Sequence, residues 1–240
     1  MSLRRFLSAF AFTFLVLTSI AAQTDSAVGR LSIQRGNEQF AKQQYEAALK
    51  EYERVPVSSE QSYSQALYNI GVCYYELWRT DEAVKFYRKA IAAREGGYPK
   101  ASYALGIALE DLGKAAEAKA AFQEAATGPT LDDGLAHYKL GLVAVKEGDR
   151  SAAIGLFRAA IAKSKGHFPA GHNNLGVMLA QAGRLADADL EFQIALQQSE
   201  GTFADAAFNL SLCRKLMSAR ASVALADLKV TAPEGRHFKQ

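Results

Sequence analysis

Residues 136–160 read AHYKLGLVAVKEGDRSAAIGLFRAA, and the spacing of four of them decides the fold. Gly141 is followed by Ala153 after twelve residues, by Phe157 after four more and by Ala160 after a further three. The same steps return every 35 residues. Ile70-Gly71, Leu105-Gly106, Leu140-Gly141 and Leu175-Gly176 hold that period without slippage, Gly36 precedes them by one step and Leu210-Ser211 follows by one. The alanines are Ala48, Ala83, Ala118, Ala153 and Ala188, and the aromatics are Tyr52, Tyr87, Phe122, Phe157 and Phe192. Steps of three, four and seven residues lie on one face of a helix. Each unit therefore reads as two antiparallel amphipathic helices. Glycine and alanine let the pair approach closely, and the aromatic is expected to fill the space between units at an interaxial distance of roughly 8–10 Å. A fixed period in this range is a stack of small units, which offers one long surface in place of a catalytic pocket.

The units resemble tetratricopeptide repeats, whose pattern is Trp-x2-Leu-Gly-x2-Tyr followed by Ala, Phe, Ala and a late Pro. The resemblance covers about Gly29 to Val230, and it implies an all-α, right-handed superhelical solenoid of five full repeats with a degenerate sixth as cap. There are departures from the family pattern. The Trp position holds Leu67, Ser102, His137, His172 and Ala207, the Tyr survives only as Tyr74, and the late Pro is absent. The unit is one residue longer than the usual 34, with junctions Gly96-Gly97-Tyr98-Pro99, Gly166-His167-Phe168-Pro169 and Gly201-Thr202-Phe203-Ala204. Glycine there suits a left-handed helix cap and Pro the first turn of the next helix. The aromatic between them is predicted to pack over the joint.

The repeats absorb nearly all of the 240 residues, 49% of them hydrophobic, and no second domain is left to carry chemistry. The first unit has Ser32 and Arg35 where later units are apolar, as befits a helix with no neighbour before it. In the sixth unit a first helix over Ala204–Met217 is intact. A second, over Ala219–Val230, carries Val223 and Asp227 at the alanine and aromatic positions. Residues 231–240, opened by Pro233, read as a disordered tail. At the other end, a basic start to Arg5, an apolar run Phe6–Ile20 and small residues at Ala21-Ala22 predict a signal peptide over 1–22, with 23–28 as a short linker. An uncleaved membrane anchor is the alternative. Cleavage would leave 26 basic against 25 acidic residues, a balance that points away from nucleic acid and from an anionic membrane as partners.

Cys73 and Cys213 occupy equivalent places in units two and six, four repeats apart, and are predicted to be buried and unpaired. His137 and His172 stand at the Trp position and read as packing residues. With no HExxH or CxxC motif and no phosphate loop, neither metal nor cofactor is expected and an enzyme is not. Trp78 falls in the turn inside the second unit, where Gln43, Gly113, Gly148 and Gly183 stand in others. It either packs over that turn or forms an exposed anchor for a partner.

In the family, the first helix of each unit lines the concave side. The resemblance places Tyr68, Tyr103, Tyr138 and Phe208 there as a broken aromatic row beside Asn69, Asn174 and Asn209, with Asn173 next to Asn174. Asparagine amides both donate to and accept from a peptide backbone of any sequence, and the rings offer apolar contact. Some family members hold a terminal carboxylate. Here Asn37, Asn69 and Lys100 match that clamp, but Ile33 and Ala104 replace two of its three cations, so no strong tail-specific clamp is expected. Two function classes follow. One is an exported module binding an extended peptide or a partner helix in the groove; the other is a structural subunit of an envelope or surface assembly, held by its convex face or its ends. Partner identity and oligomeric state are open.

Overall fold

The computed structural model describes residues 23–95, 97–127, 134–218 and 225–232. The signal peptide expected over 1–22, Gly96, residues 219–224 and residues 233–240 of the expected tail lie outside them. All regular structure among the described residues is helical. Helix α1 occupies 23–41. It is followed by α2 (Tyr45–Tyr52), α3 (Glu60–Glu76), α4 (Thr80–Ala92), α5 (Pro99–Asp111), α6 (Ala115–Thr127), α7 (Leu135–Lys146), α8 (Arg150–Lys163), α9 (Pro169–Gln181), α10 (Leu185–Gln198) and α11 (Ala204–Met217). A single 3-10 turn, Leu225–Asp227, comes last. The chain forms two compact bodies that divide between Ala118 and Lys119. In the first, α2 packs on α3, α3 on α4 and α4 on α5; in the second, α7 to α11 each pack on the next.

The glycine and aromatic that set the period meet inside the helix pairs, so the ring expected between units sits instead on the glycine of its own unit, where the absent side chain leaves room for it. A methyl group built on Gly71 would stand 2.6 Å from Tyr87, one on Gly141 2.6 Å from Phe157, and one on Gly176 2.6 Å from Phe192. All three rings are fully buried. The junction aromatics also pack as expected: Tyr98 lies 5.6 Å from Tyr68 and Phe168 4.9 Å from Tyr138, ring centre to ring centre.

Two expectations at the ends need correction. Residues 23–28, expected as a linker, are already part of α1. Gly29, Ser32, Ile33 and Gly36 recur at helical spacing and are buried, which carries the helix back through the polar start. Ser32 is thus an interior residue and not an exposed one. At the other end, the described part of the expected helix 219–230 is the short 3-10 turn followed by non-helical chain from Leu228. Leu228-Lys229-Val230-Thr231 alternates apolar with polar residues and ends on two β-branched ones, a pattern that fits extended chain better than helix.

The turns within units close in one way. Gln43, Trp78, Gly113, Gly148 and Gly183 all have positive φ. After each, the next backbone N–H reaches back five residues, as in Arg79 to the Tyr74 carbonyl at 2.8 Å and Asp149 to the Ala144 carbonyl at 2.9 Å. This is the Schellman closure, which asks for glycine. Trp78 takes the left-handed conformation with φ 62 and is 74% exposed. A non-glycine residue pays about 1–2 kcal/mol there, against about 0.5–1 for the lost entropy of a glycine. Trp78→Gly is therefore expected to leave the fold intact and to raise stability by about 0.5–1 kcal/mol, read from the urea midpoint by circular dichroism. A lower midpoint would show that the indole contributes packing that its exposure conceals.

Candidate functional site

In the second body, α9 and α11 pack together and place Asn174 and Asn209 one repeat apart. Both amides are completely buried, as is Asn173 beside them. Burying an amide without partners costs roughly 1–3 kcal/mol, so these groups must be satisfied. What satisfies them is the chain's own segment 228–231. Asn209 Nδ2 donates to the Lys229 carbonyl at 2.9 Å while the Lys229 N–H donates to Asn209 Oδ1 at 2.8 Å. Asn174 repeats the arrangement two residues on, with Nδ2 donating to the Thr231 carbonyl at 2.8 Å and the Thr231 N–H donating to Oδ1 at 2.8 Å. Tyr138 Oη on α7 also donates to the Thr231 carbonyl, at 2.6 Å. Each asparagine thus grips both polar atoms of one residue, and the gripped residues alternate. That is how an extended chain presents itself, since residues i and i+2 face the same side.

Asn173 ties the row together. Its Nδ2 reaches the Lys229 carbonyl and Thr231 Oγ1, each at 3.1 Å, and its Oδ1 accepts from Asn209 Nδ2 at 2.9 Å. Asp205, on the first turn of α11, takes a hydrogen bond from Thr231 Oγ1 at 3.1 Å and lies 3.9 Å from Lys229 Nζ. That ammonium sits 4.7 Å above the Phe208 ring, which is exposed. Leu228 is buried in the apolar cluster of this body and Val230 packs against it. Burial raises the Tyr138 hydroxyl pKa, with the Asn174 hydrogen bond opposing, so the phenol is neutral and able to donate.

The first body holds the other candidates. Asn37 Oδ1 accepts from Tyr52 Oη at 2.8 Å and from Asn69 Nδ2 at 3.2 Å, so these two amides are joined to each other. Tyr68 is buried against Tyr87 and Tyr98, with Lys100 Nζ 5.0 Å above its ring. Burial lowers the Lys100 pKa. Tyr103 is half-buried on α5. The expected aromatic row is therefore not an open apolar strip. The rings of Tyr68 and Tyr138 are spent on the junction aromatics Tyr98 and Phe168, and Tyr138 shows the segment its hydroxyl instead.

The lone-residue candidates are structural in their surroundings. Cys73 and Cys213 are buried free thiols, and burial pushes the Cys73 pKa to about 12. His172 has Nδ1 2.6 Å from the Glu191 carboxylate and Nε2 3.1 Å from the Gly166 carbonyl. Burial alone would lower its pKa, but those two hydrogen bonds and the Glu191 charge outweigh it and raise it. His172 thereby pins the joint at Gly166. Among the described residues no three or more His, Cys, Asp or Glu side chains gather as a metal site, and no helix is long and apolar enough to cross a membrane.

Residues missed in sequence were Asp205 and the segment itself. The one available signal was the alternation over Leu228–Thr231.

Two family models, both described as tetratricopeptide repeat, match this chain, one over residues 20–96 and the other over 103–167 and 138–202. No curated protein matches the sequence. Among solved structures, pilF of Pseudomonas aeruginosa superposes with a TM-score of 0.67 at 16% identity, over 82% of this chain and 87% of that one. MamA gives 0.57 at 24% identity, over 69% and 94%. YrrB, described as a TPR protein with an unusual peptide-binding site, gives 0.56 at 23% identity, over 75% and 90%. These likenesses concern the fold.

Proposed function

Because the chain belongs to the tetratricopeptide repeat family, we propose that it is a protein-interaction module whose second body binds an extended peptide through the paired amides of Asn174 and Asn209. One observation carries this reading: each of these amides holds the N–H and the carbonyl of a single residue, at alternate residues of an extended segment. A carboxamide is a donor and an acceptor on one rigid plane, so it matches any peptide unit whatever side chain that unit bears. Binding by backbone in this way is what a sheet edge does in strand addition, here supplied by side chains on helices. The peptide-binding site that YrrB is described as having supports the same use of the fold. In the first body Asn37, Asn69, Tyr103 and Lys100 are the corresponding candidates, and the reading there rests on sequence position.

The compartment belongs to the same proposal. The basic and apolar start of the sequence favours export with cleavage near Ala22, and mass spectrometry of the mature N-terminus tests it. A chain still beginning near Met1 in the membrane fraction would establish the anchor.

The binding reading is tested by photocrosslinking in the native compartment, with wild type and the double variant Asn174→Ala, Asn209→Ala compared at equal abundance. Capture of partners is expected to fall at least about tenfold, as the loss of four backbone hydrogen bonds implies. Unchanged capture would move the interaction to the convex face or the ends of the stack.

A further inference from the structure

We propose that residues 228–231 are a built-in occupant of this site, and that the partner displacing them is an extended segment of the same pattern: apolar, cationic, apolar, hydroxyl-bearing. The inference rests on the peptide-binding reading and adds to it a sequence class and a gate.

The pattern follows from what each side chain of the occupant meets. The first position, Leu228, is buried in the apolar cluster, where a polar residue would lose its water without gaining a partner. Lys229 at the second position faces the Asp205 carboxylate and the Phe208 ring, two groups that favour a cation and disfavour an acid. At the third, Val230 packs against the apolar cluster. Thr231 at the fourth uses its hydroxyl twice, donating to Asp205 and accepting from Asn173. Valine there would leave both of those polar groups facing a methyl. The two asparagines hold the backbone of alternate residues, each taking the N–H and carbonyl of one residue together, and the side-chain contacts decide which residues those are.

The gate follows from how the occupant is held. A permanent end cap would be expected to bury an apolar helix face. Here the segment is held largely through backbone bonds to side chains that are indifferent to sequence, and a second strand can replace those bonds one for one. An occupant tethered to its own site competes at an effective concentration in the millimolar range for short linkers. A free peptide therefore binds with an affinity reduced by the fraction of molecules in which the site is open.

The test uses the full chain and, as probe, a fluorescein-labelled peptide with blocked ends carrying residues Asp227–Ala232. Lys229→Pro with Thr231→Pro removes both N–H donors of the occupant and leaves the groove residues untouched. By fluorescence anisotropy this variant is expected to bind the probe at least about tenfold more tightly than wild type. A probe bearing Lys229→Glu and Thr231→Val should bind it at least about tenfold more weakly than the native probe. Equal affinity of wild type and variant for the native probe would overturn the gate. Equal affinity of the two probes would overturn the sequence class. Either result leaves backbone recognition standing. If the variant keeps its helical circular dichroism yet binds neither probe, the peptide-binding reading falls with the inference. Should the double proline variant lose helical content, Lys229→Glu with Thr231→Val in the full chain loosens the occupant by side chains alone and supplies the same comparisons.

Discussion

Phe157→Ala is expected to cost about 3–5 kcal/mol of unfolding free energy, enough to leave the second body marginal at room temperature. The ring is fully buried and lies against Gly141 on the paired helix and 5.7 Å from the Tyr138 ring. Removing it opens a cavity that Gly141, with no side chain, cannot fill. The coupling between the two positions makes the claim sharper. A methyl group on Gly141 would come within 2.6 Å of the ring, so Gly141→Ala alone should destabilise by about 1–3 kcal/mol through overpacking. In the Phe157→Ala background the same methyl enters vacated space, and the double variant should be no less stable than Phe157→Ala by itself. Urea titration followed by circular dichroism gives all four corners of the cycle. Additive losses would mean that the glycine and the aromatic do not share one contact, and the physical basis of the 35-residue signal would have to lie elsewhere.

The glycine and aromatic positions were legible in sequence because they are written several times over, but their contact was not: the ring was expected between units, and spacing alone does not say which neighbouring helix it meets. The two residues are complementary in size, and size periodicity survives in the letters. Trp78 shows the limit of the same logic. The period located it in a turn, but the left-handed backbone is visible only once Gly113, Gly148 and Gly183 are seen to share that conformation with it. The start of α1 was missed because its buried face is made of Gly29, Ser32 and Gly36 around a single Ile33, which carries little hydrophobic signal.

The site divides along similar lines. Positions one repeat apart put Asn174 and Asn209 in a row, and the structure has them there. Their partner was not legible, because Thr231 lies 57 residues from Asn174 and 93 from Tyr138, and the segment occurs once, so no periodicity announces it. The state of Tyr68 and Tyr138 was missed for another reason. Tyr98 and Phe168 were recognised as joint aromatics, yet sequence spacing alone does not say onto which ring a joint residue folds.

The segment's dependence on its two asparagines leads to the second large effect. Asn174→Ala with Asn209→Ala is expected to release residues 228–231 while the helices persist. If the segment stayed, the N–H and carbonyl of both Lys229 and Thr231 would lose their side-chain partners, Tyr138 Oη and Asn173 Nδ2 compensating only at the carbonyls. Two buried N–H groups without acceptors cost about 1–3 kcal/mol each, whereas in water both are solvated. Departure is therefore the lower-energy outcome, opposed mainly by exposure of Leu228. Hydrogen exchange at the Lys229 and Thr231 amides reads this directly. The loss of about 2–4 kcal/mol of local protection corresponds to exchange roughly 30- to 1,000-fold faster, with the α7 to α11 amides little changed. The single variants order the event. Asn174→Ala should expose Thr231 more than Lys229, because Asn209 still holds Lys229 from both sides; Asn209→Ala should do the reverse, with Leu228 drawn out alongside. Unchanged exchange in the double variant would mean that the apolar contacts of Leu228 and Val230 hold the segment, and that the asparagine row follows the strand instead of selecting it.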